Sequence, residues 1–124
     1  MPRILLVEPH VHASLSLARI LLGLGYNVDC AYSAASAINH LRTAHADLVI
    51  VGVKELPRMD GWVLLNWLGH RRIPVIVNGR LTDAEWNLAK RAGATELWVR
   101  NALCVDSICE SMERYFDSPR ALAA

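Results

Sequence analysis

Hydrophobic residues along this chain are concentrated in five short runs, with longer segments of mixed polarity between them. The third run is apolar on both of its alternating faces, which is typical of a strand buried in the centre of a parallel sheet. The other runs are rich in valine, isoleucine or leucine, which also favours strands. The predicted strands cover residues 4–7, 26–32, 47–53, 74–78 and 96–99.

The segments between the strands carry apolar residues near helical spacing, which predicts amphipathic helices. Ser33 and Asp60 are suited to cap the second and third helices, because their side-chain oxygens can accept backbone N–H groups. Thr82 and Glu85 have the spacing of a capping box at the start of the fourth helix. The predicted helices cover residues 9–24, 34–43, 60–68, 82–91 and 103–115, with a left-handed cap at Gly23 or Gly25 and a stop at Gly93.

The order of strand and then helix, repeated five times, predicts an α/β fold in which helices cover both faces of a parallel sheet. Right-handed crossovers and short loops favour the doubly wound strand order 2-1-3-4-5. We expect one domain over residues 1–117, followed by a tail or the start of a linker over residues 118–124. Ligands of such sheets bind at the carboxyl ends of the strands, which here carry residues 8–9, 52–55, 78–79 and 100–101.

Composition and charge exclude several classes of function. Apolar residues make up 53% of the chain and charged residues 20%, which is a globular composition, and the formal net charge is only +1. No strong field therefore attracts nucleic acid or an anionic membrane, and no apolar stretch reaches the ~20 residues that span a bilayer. Cys30, Cys104 and Cys109 fit neither a disulfide framework nor a zinc site, so we expect reduced thiols and a cytoplasmic location.

Six short segments of the chain form a recognisable series. They are residues 4–8 (ILLVE), 24–28 (LGYNV), 46–51 (ADLVIV), 56–61 (LPRMDG), 73–77 (IPVIV) and 91–94 (RAGA). Each segment is weakly specific by itself, but in this order and with this spacing they resemble the response-regulator receiver domains of bacterial two-component systems. The resemblance extends from residue 2 to about residue 116 and implies a flavodoxin-like fold and a place in a phosphorelay.

The resemblance also implies a phosphorylation site made of several parts. In the family, two acidic residues after the first strand and an acceptor aspartate after the third strand hold magnesium, and the aspartate takes the phosphoryl group. In this chain Glu8 and Pro9 stand at the two acidic positions. The acceptor position falls on Gly52 when counted forward from Asp47, and on Val53 when counted back from the proline of the following loop, because that loop carries one extra residue.

The remaining positions of this site also depart from the family. Gly79 stands where a serine or threonine follows the fourth strand, and Arg100 and Asn101 stand where a lysine and a proline follow the fifth. Acyl-phosphate formation needs a carboxylate nucleophile, and neither residue at the acceptor position supplies one. Glu8 is the single carboxylate left for magnesium, so we expect no metal and no cofactor. We expect the guanidinium group of Arg100 to lean toward Glu8 instead.

These substitutions predict a non-enzymatic pseudo-receiver without catalytic residues, fixed in one conformation. We expect it to signal through a protein partner or as a homodimer, with a C-terminal output domain as a further candidate partner. In receivers the face formed by the fourth helix, the fifth strand and the fifth helix is the usual partner surface. Trp86, Leu97 and Trp98 are the candidate interface residues on that face, and Leu97 replaces the family's switch aromatic.

Two other interpretations remain open from the sequence. A functional receiver would take the phosphoryl group on an unorthodox acidic residue, with Glu8, Glu55 and Asp60 as candidates. A small-molecule-binding flavodoxin-like domain would use the emptied pocket at the strand ends, although no glycine-rich phosphate loop follows the first strand. The five histidines of the chain show no convincing metal-ligand partner in the sequence.

Overall fold

Strands and helices alternate along residues 2–99 and 104–116, which are the residues that the computed structural model describes. The strands are β1 (Arg3–Val7), β2 (Asn27–Ala31), β3 (Leu48–Val51), β4 (Val75–Asn78) and β5 (Ala94–Trp98). The helices are α1 (Val11–Gly23), α2 (Ala34–Thr43), α3 (Asp60–His70), α4 (Asp83–Ala92) and α5 (Val105–Tyr115). Within these residues, no helix combines the length and the apolar character needed to cross a membrane.

The strands form one parallel sheet in the order β2-β1-β3-β4-β5, which confirms the predicted doubly wound, flavodoxin-like fold. β1 lies between β2 and β3, with Ile4 opposite Val28 of β2 on one side and Leu48 of β3 on the other. Two backbone hydrogen bonds extend the pairing past the strand ends, from Glu8 N to the Ala31 carbonyl and from Gly52 N to the Val7 carbonyl. The ends of β1 and β3 are therefore held side by side.

Hydrophobic cores cover both faces of the sheet, because successive side chains of a strand point to opposite sides. Leu5 and Val7 of β1 belong to the core shared with α2, α3 and α4. Ile4 and Leu6, the alternate residues, belong to the core shared with α1 and α5. β3 divides in the same way and all four of its residues are fully buried, as the doubly apolar pattern of the third run predicts.

Two of the predicted helix caps are confirmed in atomic detail. The hydroxyl group of Ser33 accepts a hydrogen bond from the backbone N–H of Ser36 at the start of α2. Thr82 and Glu85 form the reciprocal capping box of α4, with Thr82 Oγ1 accepting from Glu85 N at 3.1 Å and Glu85 Oε1 accepting from Thr82 N at 2.9 Å. The same Glu85 oxygen lies 3.1 Å from the ammonium group of Lys54.

Of the other predicted helix ends, the cap of α3 is wrong in detail. The cap of α3 is Met59, and Asp60 is the first helical residue, with its carboxylate 3.6 Å from the guanidinium group of Arg58. This difference arises because the turn that precedes α3 fixes its boundary. The left-handed cap predicted at the end of α1 is confirmed at Gly25 (φ 99°), which follows the right-handed residue Leu24. The predicted stop at Gly93 is confirmed by its left-handed backbone (φ 115°).

The first turn of α3 packs directly on the loop that follows β3. A Cβ atom built on Gly61 would lie only 2.1 Å from the carbonyl oxygen of Val53, so only glycine allows this approach. Val53 is 1% exposed and belongs to the core between the sheet and α3. The β3–α3 loop is therefore fixed at both its backbone and its side chain.

Asp47, just before β3, fastens the opposite end of the sheet. Its carboxylate accepts the backbone N–H of Arg3 at 2.8 Å and lies 2.7 Å from Nε2 of His45. Two hydrogen bonds lower the pKa of Asp47 below its ordinary value, and the one from the Arg3 backbone has a larger effect than the one from His45. Ionisation of this carboxyl group thus favours the folded state.

Candidate functional site

The carboxyl ends of β1 and β3 bring together side chains that are distant in the sequence. Glu8 follows β1 directly and is 5% exposed. A Cβ atom built on Gly52 would lie 2.9 Å from Glu8 Oε2 and 3.1 Å from Cγ of Glu55. Gly52 thus directs its vacant side-chain position toward two carboxyl-bearing residues. We refer to Glu8, His10, Gly52 and Glu55 as the strand-end site.

The structure distinguishes the two residues that the sequence left open at the end of the third strand. Val53 is 1% exposed and belongs to the hydrophobic core between the sheet and α3. The extra residue of the loop is absorbed in a turn, because the backbone N–H groups of Glu55 and Leu56 both reach the Gly52 carbonyl, at 3.1 and 3.3 Å. Gly52, and not Val53, is therefore the residue that faces Glu8.

His10 joins the strand-end site from the residues just before α1. Its Nε2 atom lies 3.5 Å from Glu55 Oε2, and donor atoms of Glu8, His10 and Glu55 all lie within 4.8 Å of one another. The sequence did not indicate this approach of His10 to Glu55, because folding closes a gap of 45 residues between them. Magnesium requires near-octahedral oxygen ligands, and a set of two carboxyl groups and one imidazole does not match that requirement.

Pro9 and Gly79, the other predicted site positions among the described residues, contribute little polar chemistry. Pro9 is half-buried between Glu8 and α1 and has no polar side chain. Gly79 follows β4 with φ 140° and donates its backbone N–H to the Trp98 carbonyl at 2.9 Å. Open space surrounds the position of its absent Cβ. Arg100 and Asn101 lie outside the described residues, so the expected approach of Arg100 to Glu8 stays a prediction.

The acidic residues considered as unorthodox acceptors occupy different environments. Glu55 belongs to the strand-end site and its side chain is 28% exposed. Asp60 lies in the first turn of α3, where its carboxylate pairs with Arg58 and is 39% exposed. The structure thus brings Glu55 to Glu8 and gives Asp60 a separate surface position.

The candidate interface residues of α4 and β5 separate into surface and core. Trp86 and Leu97 are half-buried against the core of the α2–α4 side, and Lys90 lies over the Trp86 ring at 5.6 Å. Trp98 is only 4% exposed and belongs to the core of the α1–α5 side. Trp98 is therefore not an exposed anchor, because alternation along β5 directs it beneath α5 while Leu97 points the other way.

A polar network that the sequence analysis missed fixes α5 to β5. The indole N–H of Trp98 donates to Glu96 Oε2 at 2.8 Å and to Ser111 Oγ at 3.0 Å. Ser111 and Arg114 also donate to the Glu96 carboxylate, Arg114 at 2.8 Å. The spacing of Glu96 and Trp98 along one strand face, and of Ser111 and Arg114 along one helix face, is the signal that could have revealed it.

Cys104, at the cap position of α5, is an exposed thiol. The side chain and then the backbone N–H of Ser107 hydrogen-bond to its sulfur and lower the pKa of the thiol below its ordinary value. Thiolate content controls cysteine reactivity, so Cys104 is chemically distinct from the half-buried Cys30 and Cys109.

Comparison with known proteins gives consistent matches. A family model described as the response regulator receiver domain matches residues 4–97. The chain is 30% identical over 124 residues to the transcriptional regulatory protein ZraR of Salmonella typhimurium, and the aligned region covers 98% of this chain and 28% of ZraR. It is 29% identical over 117 residues to protein-glutamate methylesterase/protein-glutamine glutaminase 1 of Anaeromyxobacter dehalogenans, which covers 91% of this chain and 33% of that protein.

Solved structures agree with these sequence matches in the fold. The crystal structure of a CheY-like response regulator receiver domain protein from Methanospirillum hungatei superposes with a TM-score of 0.84 at 22% identity, covering 92% of each chain. The chain spans about a third or less of the length of the two curated relatives described above.

Proposed function

The chain belongs to the response regulator receiver domain family, and we propose that it is a receiver that is not phosphorylated and signals through protein contacts. Its assignment as a receiver domain of a two-component system rests on the family match and on the relatives. The observation that carries the proposal is the position of Gly52, whose vacant side-chain direction faces Glu8 at the end of β3. A side-chain carboxylate is required there to form an acyl phosphate, and glycine has none.

The switching parts of the site support the same proposal. Gly79 has no hydroxyl group to follow a phosphoryl group, and Leu97 is aliphatic where the family carries a switch aromatic. A ligand shifts a two-state equilibrium only through a difference in its affinity for the two states. Without a phosphoryl group, magnesium or these side chains, the domain stays in one conformation and has no enzymatic activity of its own.

Treatment of the chain with acetyl phosphate and magnesium, followed by intact-mass spectrometry, tests the proposal. We expect no phosphoryl adduct. A parallel amide spectrum with beryllofluoride and magnesium is expected to show no saturable shifts in β4 and β5. A stable adduct, or widespread saturable shifts in those strands, would contradict the proposal.

One observation favours a second candidate function, a receiver with an unorthodox acceptor. Glu55, like Glu8, borders the vacant position of Gly52, with its Cγ at 3.1 Å, and Glu55 is the more exposed of the two residues. If an adduct forms, Glu55→Gln should abolish it while Asp60→Asn leaves it unchanged, since Asp60 occupies a separate surface. An adduct that survives Glu55→Gln would exclude this candidate.

The face of α4, β5 and α5 is our candidate surface for a protein partner or a second copy of the chain. Leu97 lines a surface groove between β5 and α5 together with Val99 (47% exposed), and Val105 (52% exposed) is the first residue of α5. Apolar side chains left in water at one face favour association. Because the curated relatives are about three times longer, an output domain is a further candidate partner for this face.

Sedimentation over a range of protein concentrations tests self-association through this face. We expect Val99→Glu to weaken the dimer because it places a charge in the contact. Leu22→Glu is the matched control, since Leu22 is 53% exposed and belongs to α1, which is not one of the elements of the face. A dimer that Leu22→Glu disrupts and Val99→Glu does not would assign the contact to α1 instead.

A further inference from the structure

A cavity of about 190 Å³ lies between α1, α5 and the sheet. Its apolar walls are formed by Leu6, Leu17, Ile20 and Ile108. The exposed residue Ser16 also borders the cavity, so it reaches the protein surface. A cavity of about 150 Å³ with comparable aliphatic walls holds a benzene molecule. The present cavity therefore has room for one small ring compound.

Two polar atoms in the wall have no hydrogen-bond partner among the described residues. They are the hydroxyl oxygen of Ser14, a residue that is 0% exposed, and Oδ1 of Asn78. Both residues line the cavity. Buried polar groups are normally satisfied by protein, water or ligand, so these two atoms point to a bound group.

We propose that this cavity binds a small neutral ring compound that carries an O–H or N–H group. Oδ1 of Asn78 only accepts hydrogen bonds, so the ligand must donate, and the Ser14 hydroxyl can accept from or donate to the same group. The carboxyl group of Glu8 also borders the cavity and adds acceptor oxygens. The ring fills the apolar part of the cavity, where a water molecule would find no hydrogen-bond partners.

The proposal goes beyond the signalling role proposed above and does not depend on whether the chain is phosphorylated. Ile108 belongs to α5, so a ligand in the cavity contacts a helix that also forms the α4, β5 and α5 face. The binding site itself lies on the opposite side of the sheet from Trp86 and Leu97.

Amide spectra of the full chain, titrated with phenol and with benzene, test the proposal. We expect saturable shifts around Ser14, Asn78 and Ile108 with phenol. Benzene has the same ring without a donor, and we expect it to bind about tenfold more weakly, as the loss of one hydrogen bond implies. Ser14→Ala should reduce this preference, and Ala13→Leu, which projects a larger side chain into the cavity, should abolish binding of both compounds.

Leu15→Ala is the control, because Leu15 lies on the exposed face of α1 (41% exposed) and should leave both affinities unchanged. Each variant's own spectrum reports whether it is folded. The proposal is overturned if phenol causes no saturable shift, which would mean that water alone occupies the cavity. It is also overturned if benzene binds as tightly as phenol, or if phenol binding survives Ala13→Leu.

Discussion

Replacement of Gly61 with alanine tests how closely α3 is held against the loop that carries the strand-end site. The added Cβ would lie 2.1 Å from the Val53 carbonyl oxygen and 2.8 Å from the Val53 carbonyl carbon. Cβ atoms essentially never approach within 3.0 Å, so the helix or the loop must move by roughly 0.9 Å. Val53 is held in the core and directly follows Gly52 in the loop that leads to Glu55. Any displacement of Val53 is therefore expected to move Gly52 and Glu55 as well.

The magnitude follows from two opposing effects. Overpacking of this kind costs about 1–3 kcal/mol, and contact with rigid backbone places the cost at the upper end. Alanine recovers up to about 1 kcal/mol through its higher helix propensity. We expect a net loss of about 2 kcal/mol in the free energy of unfolding, out of a typical total of about 5–15 kcal/mol.

Urea unfolding followed by tryptophan fluorescence measures this loss, and Gly23→Ala is the matched control. Gly23 ends α1, and a Cβ atom there meets nothing within 4 Å. We expect Gly23→Ala to leave stability unchanged or to raise it slightly. Equal stability of the two variants would refute the close approach of α3 to the Val53 carbonyl.

Three further predictions concern the network of α5, the carboxylate before β3 and the exposed thiol. Ser111→Ala should lower the free energy of unfolding by about 1–2 kcal/mol, because the indole of Trp98 loses a buried acceptor, whereas Ser16→Ala on the surface should change it by less than about 0.5 kcal/mol in the same urea assay. The lowered pKa of Asp47 stabilises the fold above the usual aspartate pKa of about 3.9, and this stabilisation is lost as the pH falls through the lower folded-state value. Asp47→Asn should therefore be less stable than the natural chain at neutral pH, and the difference should vanish in acid unfolding titrations. Cys104 should react with a disulfide reagent before the other thiols, and a rate-against-pH profile should move to higher pH in Ser107→Ala; an unchanged profile would remove the assigned role of Ser107.

The sequence predicts the parts of the fold that depend on local chemistry. The caps at Ser33 and Thr82 are confirmed because each uses residues within one helical turn. The central position of β3 follows from its doubly apolar pattern. The cap of α3 at Met59 escapes such reasoning, since the turn at Arg58 and Met59 sets the boundary of the helix.

The candidate site is harder to predict from the sequence, because it depends on folding to bring together residues that are far apart along the chain. Counting along the sequence assigns the acceptor position to Gly52 or to Val53, depending on the end from which one counts. Only the turn that accommodates the extra loop residue decides which of the two faces Glu8. The approach of His10 to Glu55 likewise depends on the ends of two strands meeting. The cavity beside Ser14 is a volume that no side chain fills, and a pattern of residue types does not record it.

One carboxylate links two segments whose amide protons would otherwise exchange with solvent independently. Glu85 caps α4 and also binds Lys54 of the β3–α3 loop, so opening either segment breaks a contact of the other. In native-state hydrogen exchange, opening of the first turn of α4 and opening of this loop should therefore be coupled, and only weakly because the ion pair is exposed to solvent. The loop beside the strand-end site thus derives part of its protection from exchange from a helix cap 31 residues further along the chain.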